Sequence, residues 1–441
     1  CLNEIAFAGV QAIREGTYQG FPIVLKDVCV IVPVLLIVGS FYAMWMAFRP
    51  STHVPAQGYP ARWQRLMLIV SIGLALVGAV VCGIGFVKCF LPLEFSNDGT
   101  VLDINAASAL LRGQNPYSNP TLSGQARNHE DWTTPLRLGQ FKGRLDYPTR
   151  NEMRRVLDAD LASGHSVEFE SKVSYPAFSF LTLVPFAFFK HSNVLPLYLL
   201  SHLLLIVAAW YWARPGLRPW ILLLAFANVS TWTATAGETL DMLYTLFIGL
   251  AWLFGGKRWW SAVFLGLAIA SKQIAWFFVP FYFIMIWQQY SWKEAIGRLL
   301  IVGGLGLAIN APFMVWDLQA WYAGVMAPIA DPMFPLGTGI INLSIGHLIP
   351  YFPEWCYKFL QWGTYAAALA YYWFRCRKCP EAVMLLAVLP LFFAWRSLPS
   401  YFYCSAFPLL ALLLARQRAS ESLSTSVPEV EPGPLKNALA Q

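Results

Sequence analysis

Two carboxylates open a polar stretch of the chain, FSNDGTVLDINAASALLRGQNPYSNP: Asp98 and Asp103. A carboxylate beside a reacting hydroxyl can take its proton as a new bond forms, general-base work typically worth about 10²–10⁴-fold. Residues 101–112 read as a short amphipathic helix, with Val101, Leu102, Ala106, Ala109 and Leu110 on one side. Asn97 or Asp98 would cap its start, Gly113 would end it, and Asn115-Pro116-Tyr117 would turn the chain. On a helix, side chains five residues apart point about 140° from one another. Asp98 and Asp103 therefore cannot both face one hydroxyl. Asp98 also has a plain structural use, because Asp is a favoured N-cap.

Two cations stand at the ends of apolar runs. Lys272 lies in GLAIASKQIAW, and Arg396 precedes Ser397-Leu398-Pro399-Ser400-Tyr401. Long basic side chains near helix ends commonly snorkel to the interface, yet charge so close to hydrocarbon is costly and usually functional. Further polar groups occur in Gly237-Glu238-Thr239-Leu240-Asp241 and, with Asn342 and His347, in GTGIINLSIGHLIP. Asp98, Glu238, Lys272 and Arg396 all fall to one side of the membrane in the topology below, which favours a shared cavity over scattered snorkelling. Cys376 and Cys379 form a lone C-x-x-C. Zinc needs two more ligands and none is near, so neither a metal nor another cofactor is expected.

These residues are carried by an apolar chain. Of its 441 residues, 57% are hydrophobic and 12% charged, against about 25% charged in an ordinary soluble domain. Mean hydropathy is +0.51. A disordered chain, a coiled coil and a disulfide-stapled module are excluded, and a soluble enzyme would expose too much apolar surface. The expected fold is all-α: a polytopic transmembrane bundle of about 11–13 helices, each satisfying its own backbone hydrogen bonds in lipid. Candidate spans are 28–48, 66–92, 194–213, 219–235, 240–255, 259–273, 274–288, 297–316, 355–374, 382–395 and 400–415. The organisation read from this is an N-terminal segment 1–65 with one extra span, a membrane domain 66–418, and a disordered cytoplasmic tail 419–441. Residues 1–25 read as a mildly amphipathic stretch.

Short loops rich in Lys and Arg mark the cytoplasmic side. They include 49–65, 214–218, 256–258, 289–298 and 375–381. The long segment 93–173 then lies outside; it carries nine Lys+Arg against eleven Asp+Glu, a net −2 within a chain of net +7. The basic excess is thus a topology signal and not a nucleic-acid footprint. One parity problem remains between 173 and 214, and the short Pro-containing piece 175–189 is expected to dip into the membrane and return.

The stretch from Asp98 through Ala106-Ala107-Ser108-Ala109-Leu110-Leu111-Arg112-Gly113 to Pro116-Tyr117 resembles the start of the first external loop in glycosyltransferase family 87, of the GT-C superfamily. Tyr175-Pro176…Pro185, Gly237-Glu238, Gly266…Lys272, Asn342-Leu343-Ser344 and Ser397–Tyr403 resemble further elements of that family, in order, over about 93–415. Tyr175-Pro176-Ala177 lacks the family's second Pro, and Ser400 stands where the family has His. The resemblance implies a GT-C-like fold with a long extracytoplasmic catalytic loop. It implies inverting transfer of mannose or a similar sugar from a polyprenyl-phosphate donor to a lipid or glycan hydroxyl at the outer face of the cell membrane. It places the base at Asp98, with Asp103 as fallback, the donor phosphate at Lys272 and Arg396, and substrate contacts at Tyr117, Tyr175, Glu238, Asn342 and Tyr401. Other readings are a transporter or flippase, or a polymerase or ligase using lipid-linked sugars. A transporter would place its charges near the midplane, whereas these lie at outer helix ends.

Overall fold

The computed structural model describes residues 23–47, 61–92, 97–118, 134–163, 167–189 and 193–425. The N-terminal amphipathic stretch, the basic loop around Arg49 and residues 426–441 of the expected tail lie outside the described residues. The longer helices, numbered in chain order, are α1 (Ile23–Ala47), α2 (Ala61–Lys88), α3 (Asp98–Leu111), α4 (Arg150–Ser163), α5 (Leu195–Trp212), α6 (Arg218–Ala227), α7 (Val229–Ala236), α8 (Asp241–Leu253), α9 (Arg258–Ser271), α10 (Val279–Gln289), α11 (Trp292–Trp316), α12 (Leu318–Val325), α13 (Glu354–Arg375) and α14 (Ser400–Thr425). The architecture is all-α. Among the described residues the one paired sheet is a two-residue parallel match of β1 (Leu336–Gly337) with β2 (Arg396–Ser397).

Among the described residues four helices are long and apolar enough to cross a membrane: Asp27–Ala47, Ala61–Lys88, Leu195–Trp212 and Trp292–Trp316. Several other expected spans are broken. The run 219–235 is divided at Asn228 into α6 and α7, and 274–288 begins as a 3₁₀ turn over Gln273–Phe278 before α10. The run 382–395 is a chain of short turns, one of them led by Pro390. A single apolar run does not fix whether its backbone stays helical, because Pro and polar positions interrupt the ladder locally. The piece 175–189 folds as two short helices, Phe178–Leu181 and Val184–Phe188, neither long enough to cross. The last helix also corrects the tail boundary: its backbone is helical through Thr425, past the expected start at 419.

The largest core gathers α8, α9, α10, α13 and the 383–392 turns around Phe278, Phe281, Tyr282 and Tyr372. Helix α9 packs between α8 and α11, while α2 lies on α6 and α7 with most of its apolar surface exposed. That outward apolar face is what a lipid-facing helix requires. Cys376 and Cys379 are buried and are not joined in a disulfide, and no group of metal-ligating side chains occurs among the described residues.

Candidate active site

Asn97, and not Asp98, caps α3: its Oδ1 accepts from the backbone N–H of Thr100 at 2.9 Å. The same side chain donates to the carbonyls of Gly237 (3.1 Å) and Glu238 (3.2 Å), and Thr100 Oγ1 donates to the Glu238 carbonyl at 2.5 Å. The Gly237-Glu238 turn therefore holds the start of α3 through its backbone. Glu238 itself has φ +62 and is buried. Its side chain acts electrostatically on Cys89 and Tyr198. With capping done by its neighbour, the Asp98 carboxylate is left for other work. Its Oδ1 accepts from the Gly99 N–H at 2.8 Å, and Oδ2 accepts from the Thr134 hydroxyl. Gly99 lets Tyr175 lie against this turn, since a Cβ there would stand 2.9 Å from the Tyr175 hydroxyl.

Asp103 occupies the opposite environment on the same helix. It is fully buried, and Ser179 Oγ donates to its Oδ1 at 3.1 Å. Its Oδ2 has no hydrogen-bond partner among the described residues. Burial pushes its carboxyl up to about 8, opposed by the Ser179 hydrogen bond and the charge of Lys272.

Lys272 ends α9 in extended conformation. The carbonyls it leaves are met by Ser271 Oγ on Leu267 (2.7 Å) and Trp276 Nε1 on Ile269 (2.9 Å). Its ammonium sits 2.5 Å from Asp241 Oδ1, both side chains largely buried, and lies over the rings of Tyr175 (5.3 Å) and Tyr244 (5.8 Å). Asp241 is the first residue of α8, where the helix dipole favours a carboxylate. The partnership was absent from the sequence reading. Its signal was present, because a Lys in an apolar setting needs a nearby acid.

Arg396 enters on the β1–β2 pair. Leu336 N–H donates to the Trp395 carbonyl at 3.2 Å and Thr338 N–H to the Ser397 carbonyl at 2.8 Å. Trp395 Nε1 donates to the Met333 carbonyl at 3.0 Å. Gly337 has φ +133, and a Cβ on it would collide with the Ser397 backbone, so only glycine allows this approach. The Arg396 guanidinium meets Met333 Sδ at 2.7 Å and makes no ion pair among the described residues.

Two tyrosines show how these groups converge. Lys272, Asp98, Asp241 and Asp103 all act electrostatically on Tyr175, and Lys272, Arg396, Asp241 and Asp98 on Tyr401. Asp98, Lys272, Arg396, Tyr175 and Tyr401 thus form one cluster, with Asp241 and Thr134 added by the structure. Tyr117 stands behind it. Its ring packs on Phe180 and Phe313, and its hydroxyl donates to the Tyr175 carbonyl at 2.7 Å. Gln273, also missed in sequence, pins the preceding residue by donating to the Ser174 carbonyl at 2.6 Å. Asn342 lies elsewhere, donating to the Val30 carbonyl of α1 at 2.9 Å. His347 faces Asp146 at 3.5 Å on the surface.

An apolar helical frame thus presents a carboxylate, two cations and two tyrosines at one place, a set suited to group transfer beside a membrane. The model of glycosyltransferase family 87 matches residues 174–399, just over half the chain, and the chain belongs to that family: it is a glycosyltransferase. The match holds Tyr175, Glu238, Asp241, Lys272, Asn342 and Arg396, and begins after α3, so the resemblance expected from 93 onward extends beyond the matched segment. No curated protein and no solved structure matches the chain.

Proposed function

We propose that the chain is a multi-pass protein of the cell (plasma or inner) membrane that transfers mannose or a similar sugar from a polyprenyl-phosphate donor to a lipid or glycan hydroxyl, with inversion, at the extracytoplasmic face. The acceptor oxygen attacks the anomeric carbon, the bond from that carbon to the phosphate oxygen breaks, and polyprenyl phosphate leaves with the bonding pair. Asp98 takes the acceptor proton. Arg396 receives the donor phosphate, where a planar guanidinium can make two charge-assisted hydrogen bonds. Lys272 adds positive field beside it, reduced by Asp241. Tyr175 and Tyr401 line the space between base and cations.

The observation that carries this reading is the convergence of Asp98 and Lys272 on both Tyr175 and Tyr401, with Arg396 joining them at Tyr401. Base and cations on one cluster suit a displacement in which proton loss and phosphate departure occur together. The test is incubation of membranes containing the protein with radiolabelled polyprenyl-phosphate mannose, followed by lipid and glycan extraction. Label in an acceptor, lost in Asp98→Asn, supports the proposal. Label that crosses the membrane on an unchanged donor would replace it with a flippase.

A further inference from the structure

Glu170 has no part in the mechanism above, yet it is tied to the Asp98 region. Its backbone N–H donates to the Thr134 carbonyl at 2.9 Å, and the Thr134 hydroxyl donates to Asp98. The side chain is 5% exposed. One carboxyl oxygen accepts from the Lys172 N–H at 3.0 Å, and the other, Oε2, is buried without a hydrogen-bond partner among the described residues. The charged groups acting on it are Lys172 on its own segment, Asp331 on the segment before β1, and Asp98 on α3. Lys172 is engaged by Asp331 at 2.8 Å. A buried carboxyl oxygen without a hydrogen-bond partner suits a carboxyl that carries a proton.

We propose that Glu170 and Asp98 act as a carboxyl pair on either side of Thr134, whose carbonyl accepts from the Glu170 backbone N–H and whose hydroxyl donates to Asp98, with Thr134 orienting Asp98 and Glu170 acting as a positioning residue that sets the charge against which Asp98 accepts a proton. This rests on Asp98 being the base. While Glu170 holds its proton, the pair carries one negative charge, placed on Asp98. When Glu170 ionises, its added negative charge favours movement of the acceptor proton towards the carboxylates, and proton transfer is faster. Burial, with Asp331 and Asp98 adding to it, pushes the Glu170 carboxyl up to about 7 against the pull of Lys172. The Glu170 ionisation therefore falls at neutral pH.

Two measurements test the pair. The first is kcat as a function of pH with radiolabelled polyprenyl-phosphate mannose. The wild type should rise about two- to tenfold through neutral pH, and Glu170→Gln should lose that step and follow the low-pH form throughout. A step retained in Glu170→Gln overturns the pair. The second needs neither turnover nor a folded Glu170 variant: infrared titration of the carboxyl band from about pH 5 to about pH 9 in purified Asp103→Asn protein, which removes the other carboxyl raised into this window. Asp98→Asn removes the like charge, so the neutral-pH midpoint should move lower; an unmoved midpoint overturns the pair. Wild-type transfer by Asp98→Asn would instead sink the base assignment, which keeps the two failures distinct.

Discussion

The two carboxylates of α3 share a helix, and their surroundings separate them. Asp98 stands at the first helical position, its capping duty taken by Asn97, its oxygens held by Gly99 and Thr134 and its charge felt by Tyr175 and Tyr401. Asp103, five residues on, is sealed against Ser179 with a carboxyl pushed up to about 8. In the proposed reaction the first takes a proton, while burial favours the protonated form of the second. The cations divide in the same way. Lys272 spends much of its charge on Asp241, while Arg396 makes no ion pair among the described residues. The same residue type does different work according to what surrounds it.

The largest effect should come from Asp98→Asn, which keeps shape and removes basicity. Turnover should fall by about 10²–10⁴ with donor binding kept, read from kcat and KM in the transfer assay. Activity that survives in Asp98→Asn and vanishes in Asp103→Asn would reverse the roles of the two carboxylates. Next is Arg396→Lys, which keeps the charge and loses the fork. It should raise the donor KM about tenfold, the cost of roughly one charge-assisted contact, and exceed the effect of Lys272→Arg on the same constant. The smallest effect on rate belongs to Asp103→Asn, expected within about twofold of wild type.

That last variant sharpens the contrast through stability. The Asp103 carboxyl is raised in the fold from 3.8 to about 8. Its stabilising contribution is therefore full below 3.8 and is lost as pH rises through about 8. Asn has no such titration. Asp103→Asn should match wild type in thermal unfolding at low pH and become progressively the more stable of the two towards about pH 8. A pH-independent difference would show that Asp103 does not hold its proton.

Much of this was legible in the chain. The apolar runs located α2, α5 and α11 closely, because a run that long satisfies its backbone most simply as one helix. The interruptions at Asn228, Gln273–Phe278 and 380–393 were not legible, since they depend on what packs against them. At the site, Asp98, Lys272, Arg396, Tyr175 and Tyr401 were singled out by charge or aromatic character at apolar ends, and they do come together. Tyr117 and Asn342 were singled out too; the Tyr117 hydroxyl donates to the Tyr175 carbonyl and Asn342 Nδ2 to the Val30 carbonyl. Asp241 and Thr134 escaped assignment because their meaning lies in partners 31 and 36 residues away. Spacing along a sequence does not reveal a contact made across the fold.

The parallel match of β1 and β2 has a consequence for heredity. Arg396 is aimed by a crossing that only glycine permits at 337. A screen of random substitutions scored on sugar transfer would return Gly337 beside Arg396, and the two would look like one allele class. A residue with no side chain would be counted among the chemical ones, having contributed nothing but the space it leaves empty.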